Sequence, residues 1–451
     1  MEGRGAERKP EIKVSIVMPV LNTAAYIREC MESLVHQTLQ EIEIICVDAC
    51  STDGTREILE EYAAEDARVH VLDDTKGSTG YANNLGMQTA RGAYLAIAEP
   101  DDFVAQDMYE KLYQAAIENQ ADVVRADYRI FFGDQENREW IDKAIASKDA
   151  YGRAHCPARQ QELFQFDMST WAGIFARELF ETGLVCHNET PGAAYQDNGF
   201  WFLLMAHAKR LYYLPVSGYR YRMDNPGSSV HNRNRLFAIC DEYDFIRKRL
   251  EQEGIFECFE DTYVWVKFIR YLSAYYRLDD TFKPAFAGRF AEEMQEHMRR
   301  REQKQEAQEG GKDKGREAIG FSKGQQKLLK ELLQGGSVFH ANRMEEKARF
   351  HELAGSDRQL ILYGCGSDGI RLLNYSRGVH CLDRIAALCD SNPRLWGSEL
   401  FGKRVMGPEE AGTCFAGAAY LVASINYGDE IRKMLSERGI RQEDICEVNF
   451  C

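Results

Sequence analysis

The sequence predicts an α/β protein: a mostly parallel, helix-covered sheet, a helical middle, and a second, smaller α/β unit. Three observations predict it. Short apolar runs rich in β-branched residues recur through the first hundred residues, each followed by a segment of helical spacing. Residues 235–333 keep a helical period with few turn signals. Strand character returns near Asp357.

The elements follow in order. Residues 14–20 (VSIVMPV) and 42–48 (IEIICVD) have strand length and composition. Between them, residues 24–37 place Ile27, Cys30, Met31 and Leu34 at helical spacing. A second helix follows Ser51-Thr52-Asp53-Gly54-Thr55, with Ile58, Leu59 and Tyr62 on one face. A strand at 69–72, a helix at 82–90 and a strand at 93–98 complete a β-α-β-α-β-α-β alternation, which reads as a parallel sheet with helices on its faces. Further on, residues 263–276 carry too many apolar positions for one exposed face and read as a core helix. Residues 292–317 are dense in charge and include Gly310-Gly311, a fraying or solvated helix end. Within them, Arg299-Arg300-Arg301 reads as a solvated face, with a membrane-surface patch as the alternative. Strands at 359–363, 385–389 and 419–423 then alternate with helical segments.

Composition narrows the function. The 451 residues include 56 Lys and Arg against 71 Asp and Glu, a formal net charge of −15. That balance argues against non-specific nucleic-acid binding and a generally polybasic membrane face, while leaving room for a local anion pocket. No apolar run approaches the ~18–20 residues of a membrane span, and residues 1–10 do not read as a secretory signal. Thirteen scattered cysteines without a CxxC pair point to a reducing cytosol.

Ligands of parallel sheets bind beyond the carboxyl ends of the strands, so the polar residues there matter most. The first strand ends Pro19-Val20-Leu21-Asn22, the second Val47-Asp48, and the fourth Glu99-Pro100-Asp101-Asp102. Taken singly, Asp48 reads equally well as a helix cap, and the 99–102 run as an acidic helix start. Taken in order, the motifs resemble family 2 of the glycosyltransferases, which have the nucleotide-sugar-binding GT-A fold. The resemblance covers roughly residues 13–230. It rests on SIVMPVLNTAAYIRECMESLVHQTLQEIEIICVDACSTDGT, on KGSTGYANNLGMQTARGAYLAIAEPDDF and on YQDNGFW.

The resemblance implies site residues position by position. Pro19, Leu21, Asn22 and Asp48 would surround the donor nucleotide, and a carboxylate accepting from a pyrimidine imide favours a UDP-sugar. Glu99-Pro100-Asp101 stands where the family has DxD, with Asp101 on a divalent cation, Mg²⁺ or Mn²⁺, and Glu99 near the ribose or metal shell. Lys76 and Gly77 would lie by the diphosphate; a solvated loop lysine is the competing reading. Asp197 of Gln196-Asp197 stands at the family's general base, which implies inversion; an N-cap of the following helix is the alternative. In the alternating Tyr219-Arg220-Tyr221-Arg222, Arg222 is the arginine assigned to the diphosphate, and His231 is a second metal candidate. Trp171, Trp201 and Phe200 are aromatic candidates for an acceptor sugar, with core packing favoured for Phe200. The chain departs from the family at Ala49, Asn83 and Glu99, so a nucleotide-sugar-binding module of low turnover stands as an alternative.

Leu362-Tyr363-Gly364-Cys365-Gly366-Ser367-Asp368-Gly369 is a GxGxxG between strand and helix, and Asp390 follows at the spacing of a ribose-binding acid. An NAD(P)-dependent oxidoreductase is therefore a further alternative, and close strand–helix packing another. The expected organisation is a flexible tail at 1–12, a GT-A domain at 13–235, a helical region with a charged linker at 236–350, and a Rossmann-like accessory domain at 351–451. Expected partners are a nucleoside-diphosphate sugar and a glycan or lipid-linked acceptor for cell-surface polysaccharide or glycolipid. A homodimer and peripheral contact with the inner membrane face complete the expectation for a cytoplasmic bacterial protein.

Overall fold

A computed structural model of the chain describes residues 11–227, 235–308 and 320–450. The expected tail up to residue 10, His231 and Gly310-Gly311 lie outside the described residues. The chain divides into two compact units, one reaching Val266 and one beginning at Lys267.

The first unit begins β1 (Val14–Val20), α1 (Ile27–Val35), β2 (Ile42–Asp48), α2 (Thr55–Glu65), β3 (Val69–Asp73), α3 (Thr79–Thr89) and β4 (Tyr94–Ile97). It continues β5 (Phe103–Val104), α4 (Met108–Glu118), β6 (Val123–Phe132), β7 (Glu139–Lys143), β8 (Ala154–His155) and β9 (Gly173–Ala176). Last come α5 (Glu178–Glu181), α6 (Gln196–His207), β10 (Leu211–Arg222), α7 (Ala238–Gln252) and α8 (Phe256–Arg277), whose last turns pass into the second unit. The sheet order is β3-β2-β1-β4-β9-β6-β10-β5, with β7 on β6 and β8 on β10.

Strands β1 and β2 are buried at every position, as continuous β-branched runs in a helix-covered parallel sheet should be. Their register pairs Val20 with Asp48, and β1 pairs Val17 with Ile97 of β4. Residues 21–22, 48–51 and 98–102 therefore leave one edge together. On the other half, β10 runs antiparallel to β5, pairing Tyr219 with Val104 and Arg220 with Phe103. That pairing brings 219–222 alongside the 99–104 turn. Against β6, β10 breaks register between Leu214 and Ser217 and again between Ser217 and Tyr219. Pro215 lies in the first break, where a residue without an N–H is tolerated in a sheet. Helix α3 opens with Ser78 accepting from Tyr81 N at 3.2 Å, a side-chain N-cap.

The second unit contains α9 (Lys283–Gln308), α10 (Lys323–Gln334), α11 (Gly336–Gly355), β11 (Leu360–Tyr363), α12 (Ser367–Gly378) and β12 (Ile385–Cys389). After these come β13 (Glu399–Leu400), β14 (Lys403–Met406), α13 (Pro408–Cys414), β15 (Ala419–Val422), α14 (Gly428–Glu437) and β16 (Ile445–Glu447). Ser322 and Gln325 form a reciprocal capping box at the start of α10. The sheet order is β13-β14-β12-β11-β15-β16, parallel except for the β13–β14 pair. Leu360 and Leu362 face one apolar cluster, Ile361 and Tyr363 another, so both faces are covered. Parallel strands flank β11 on both sides, β12 on one and β15 on the other. Tyr263, Phe268, Tyr271 and Tyr275 are wholly buried, as the apolar crowding in α8 requires. In α9, Arg299 and Arg300 both pair with Glu296, at 2.8 and 2.7 Å. Among the described residues, no helix is long and apolar enough to cross a membrane.

Candidate functional site

The carboxyl edge of β1, β2 and β4 carries the residues singled out from the sequence. Pro19 is buried at the end of β1, and Leu21 beyond it is 55% exposed, an apolar side chain left facing solvent. Asn22 takes a left-handed backbone (φ 50°); its N–H donates to Ser51 Oγ at 2.9 Å and its Oδ1 accepts from Thr52 N at 2.8 Å. Asp48 is buried, accepting from Ser51 Oγ at 2.5 Å and Ser51 N at 3.3 Å, with Arg56 Nη1 at 3.7 Å. Helix α2 is not capped by Asp48: its N-cap is Gly54, while Asp53 accepts from Thr55 N at 3.1 Å.

Asp74, which belongs to none of the sequence motifs, organises the next loop. Its carboxylate accepts from Lys76 N at 2.7 Å, Gly77 N at 2.9 Å and Ser78 N at 3.0 Å. An Asp two to four residues ahead of Lys-Gly-Ser is the local signature of such a turn. Gly77 has φ 62°, which suits glycine. Lys76 extends to Glu189 Oε2 at 2.6 Å and lies 4.2 Å above the Tyr81 ring, so its ammonium is already paired.

The 99–102 turn is an acidic cluster. Burial pushes the Glu99 carboxyl up to about 8, with the charges of Asp101 and Asp197 adding to it. Asp102 is also held well above the usual carboxylate range, by burial and then by Asp101. Its Oδ1 accepts from Arg222 N at 2.7 Å, and the Arg222 and Tyr219 bonds both lower the carboxyl against that rise. Glu99 N donates to Tyr219 Oη at 3.0 Å, tying the turn to β10. Asp101 Oδ2 accepts from Asn225 Nδ2 at 2.7 Å, leaving Oδ1 without a protein partner among the described residues. The Arg222 guanidinium donates to the Asp101 carbonyl at 2.9 Å and to Glu29 Oε2 at 2.9 Å, and it packs over Phe131 and Tyr26. Arg138 binds the other Glu29 oxygen. Arg222, assigned from the sequence to the diphosphate, is thus mostly buried, its guanidinium engaged by Glu29 and the Asp101 carbonyl.

No group of three or more His, Cys, Asp or Glu is assembled to hold a metal ion among the described residues. Asp101 Oδ1, on a half-buried side chain, is nevertheless a hard oxygen donor. It fits a Mg²⁺ or Mn²⁺ ion that takes its remaining ligands from phosphate oxygens and water.

The loop before Asp197 is clamped to the start of α3. Gly192 N donates to Gly77 O at 2.7 Å and Thr79 N to Gly192 O at 3.1 Å. Asn84 meets the main chain of His187 twice: Nδ2 donates to its carbonyl at 3.0 Å, and Oδ1 accepts from its N–H at 2.8 Å. Asn84→Ala leaves both backbone groups of His187 without these partners, an expected cost of about 2–3 kcal/mol in denaturant unfolding. Gln196 accepts from Ala194 N at 2.6 Å and donates to Gly192 O at 2.9 Å. Asp197 is exposed in the first turn of α6 and accepts from Asn198 Nδ2 at 3.0 Å. The N-cap reading of Asp197 is corrected here: the cap position is Tyr195 (φ 64°), with no side-chain cap. Glu242 carries no signal in the sequence pattern. It is buried on α7, accepting from Gly199 N at 2.9 Å and Asn188 Nδ2 at 3.1 Å.

Burial pushes Glu242 up to about 8, the Asn188 bond lowering it and the Asp197 charge raising it. An unfolded glutamate releases its proton near 4.5, so between about 4.5 and 8 the folded chain binds the extra proton. Stability therefore falls as pH rises through that window. Glu242→Gln should flatten this decline in a series of urea midpoints.

The aromatic candidates divide. Trp171 stacks on Tyr219 and Tyr221 at ring distances of 4.3 and 5.0 Å, beside the 99–102 turn. Trp201 is corrected: it is 2% exposed with Arg125 4.4 Å from its ring, and it offers no face to a sugar. Phe200 is wholly buried against His187, at 4.1 Å.

In the second unit the glycine motif joins β11 to α12. Gly364 has φ 105°, and a Cβ on Gly369 would lie 1.9 Å from Gly364 O. These glycines serve close strand–helix approach. Asp390 accepts from Cys365 N and from Asn392 N, each at 2.8 Å, so both carboxylate oxygens hold the loop. Gly369→Ala should lower stability by about 1–3 kcal/mol in chemical denaturation, the cost of overpacking.

Comparison with known proteins follows the same segment. Residues 15–183 match the model of glycosyl transferase family 2. The uncharacterized glycosyltransferase EpsJ of Bacillus subtilis is 31% identical over 217 residues, 48% of this chain and 62% of that protein. Glycosyltransferase GlyG of Streptococcus pneumoniae is 44% identical over 116 residues, 26% of this chain and 38% of its own. The poly(ribitol-phosphate) beta-glucosyltransferase of Bacillus spizizenii is 37% identical over 116 residues, 25% of this chain and 18% of that protein. The chain spans less than two thirds of the length of these relatives.

Proposed function

We propose, on the match of residues 15–183 to the model of glycosyl transferase family 2, that the chain is an inverting transferase using a nucleoside-diphosphate sugar, with UDP as the favoured nucleotide. One observation carries the reading: the charges of Asp101 and Asp197 both act on the half-buried Glu99, so carboxyls from two motifs distant in sequence lie within electrostatic reach of one another. Asp48, Leu21, Pro19 and Asn22 line the uridine side, and Asp48 exchanges its Ser51 bond for the imide N–H of the base. Lys76 and Gly77 flank the diphosphate. Glu99 and Pro100 shape the turn, and Arg222 holds Asp101 from behind.

Asp197 takes the proton of an acceptor hydroxyl as that oxygen attacks the anomeric carbon. The new C–O bond forms on the face opposite the breaking bond to the diphosphate, so configuration inverts. A bound Mg²⁺ or Mn²⁺ at Asp101 supplies Lewis-acid stabilisation of the charge gathering on the leaving diphosphate. His231 stays a candidate second ligand, outside the described residues. The acceptor is the hydroxyl of a glycan or lipid-linked precursor of a cell-surface polymer, met in the cytoplasm at the inner membrane face. The relative whose name includes poly(ribitol-phosphate) supports that class.

A thermal-shift screen of UDP-, GDP- and dTDP-sugars with Mn²⁺ or Mg²⁺ tests the reading. A metal-dependent rise in melting temperature for one nucleotide class is expected. No shift with any nucleotide sugar, with or without metal, would sink it.

A further inference from the structure

Glu242 does something the donor crevice does not account for. It stands on α7, 1% exposed, yet both its oxygens are spent on the segment that carries Asp197. Asn188 precedes the loop and Gly199 follows Asp197 by two residues, so the two bonds bracket residues 189–198. Gly199 makes this possible. A Cβ there would sit 2.1 Å from Glu242 Oε1, inside any permitted contact. Opposite, the clamp from Asn84, Gly77 and Thr79 holds the loop against α3. The loop is therefore gripped from two elements, with Asp197 at the end of the gripped segment.

We propose that Glu242 is a positioning residue for glycosyl transfer: by binding Asn188 and Gly199 together it fixes the first turn of α6 in the arrangement that aims Asp197 at the acceptor oxygen. The inference rests on Asp197 being the base. The charged and titratable groups acting with Glu242 are Asp197 on α6, Asp241 on its own helix and Cys186 ahead of the loop.

The test uses the full chain. Hydrolytic release of UDP from UDP-glucose and from UDP-GlcNAc is measured with Mn²⁺, and amide hydrogen exchange is followed in peptides covering 187–199. Glu242→Ala should accelerate exchange across 187–199. It should also lower kcat for release about 10–100-fold with KM for the donor within about twofold, as a small misplacement of a reacting group does. Glu242→Gln should restore most of the rate, since its Oε1 accepts from Gly199 N as before and its Nε2 donates to Asn188 Oδ1 once that amide turns over. Gly199→Ala should imitate Glu242→Ala, and the double variant should be no slower than either single, because both remove one contact. Unchanged exchange in Glu242→Ala, a wild-type kcat, or losses that multiply in the double variant would each overturn the proposal. Asp197→Asn run alongside separates the two readings. Release lost in Asp197→Asn but intact in Glu242→Ala defeats the positioning role alone. Undiminished release in Asp197→Asn defeats the base, and exchange then decides whether Glu242 holds the loop. Where the wild type releases no UDP from either donor, exchange decides by itself: faster exchange in Glu242→Ala supports the grip, and unchanged exchange overturns it.

Discussion

Asp197→Asn is expected to lower turnover about 10²–10⁴-fold, the contribution of a positioned general base. Donor affinity should stay within about twofold. The substitution keeps shape, and its amide oxygen still accepts from Asn198 Nδ2. Asp197 is exposed and outside the core, so folding is little affected. The lost charge in the first turn of α6 costs only about 0.3–1 kcal/mol of helix-dipole energy. What disappears is the group able to hold the acceptor proton. Calorimetric titration with UDP and Mn²⁺, beside single-turnover transfer or hydrolysis, separates the two quantities. Turnover within a few-fold of wild type would remove Asp197 as the base.

Asp101→Ala should weaken UDP binding in Mn²⁺ by at least about 10–100-fold, the scale of losing a group that supports a bound ion. Affinity in EDTA should not change. Asp101 is also the charge that most raises Glu99 and Asp102 after burial itself, so both carboxyls should titrate lower in the variant. Titrations that give the same metal-dependent affinity for both proteins would refute the metal role of Asp101.

Local chemistry is readable wherever the local pattern has one cause. Strands β1, β2 and β12 coincide with the runs at 14–20, 42–48 and 385–389 because buried parallel strands are contiguous apolar segments. Strand β5, two residues long, has no pattern to read. Asp48, the 99–102 turn and Asp197 stand out because each belongs to an ordered motif. Asn84 and Glu242 escape sequence reading for a common reason. Their partners are main-chain groups and a side chain 103 and 43–54 residues away, set by the fold and not by spacing. Trp201 misleads because residues 199–206 of α6 are buried on every side, which removes the face that distinguishes a ligand-facing aromatic.

The irregular pairing of β10 has a consequence for the site. From Leu214 to Arg222 that strand advances eight residues while β6 advances five, from Ala126 to Phe131. The excess is odd. In a structure whose faces alternate every residue, an odd excess inverts the reading frame, so positions beyond the break present the opposite parity to those before it. Tyr219 and Tyr221 owe their place on Trp171, and Arg222 its place behind Asp101, to that inversion. Deleting Val216 alone would restore even parity and send all three to the wrong side without altering any of them.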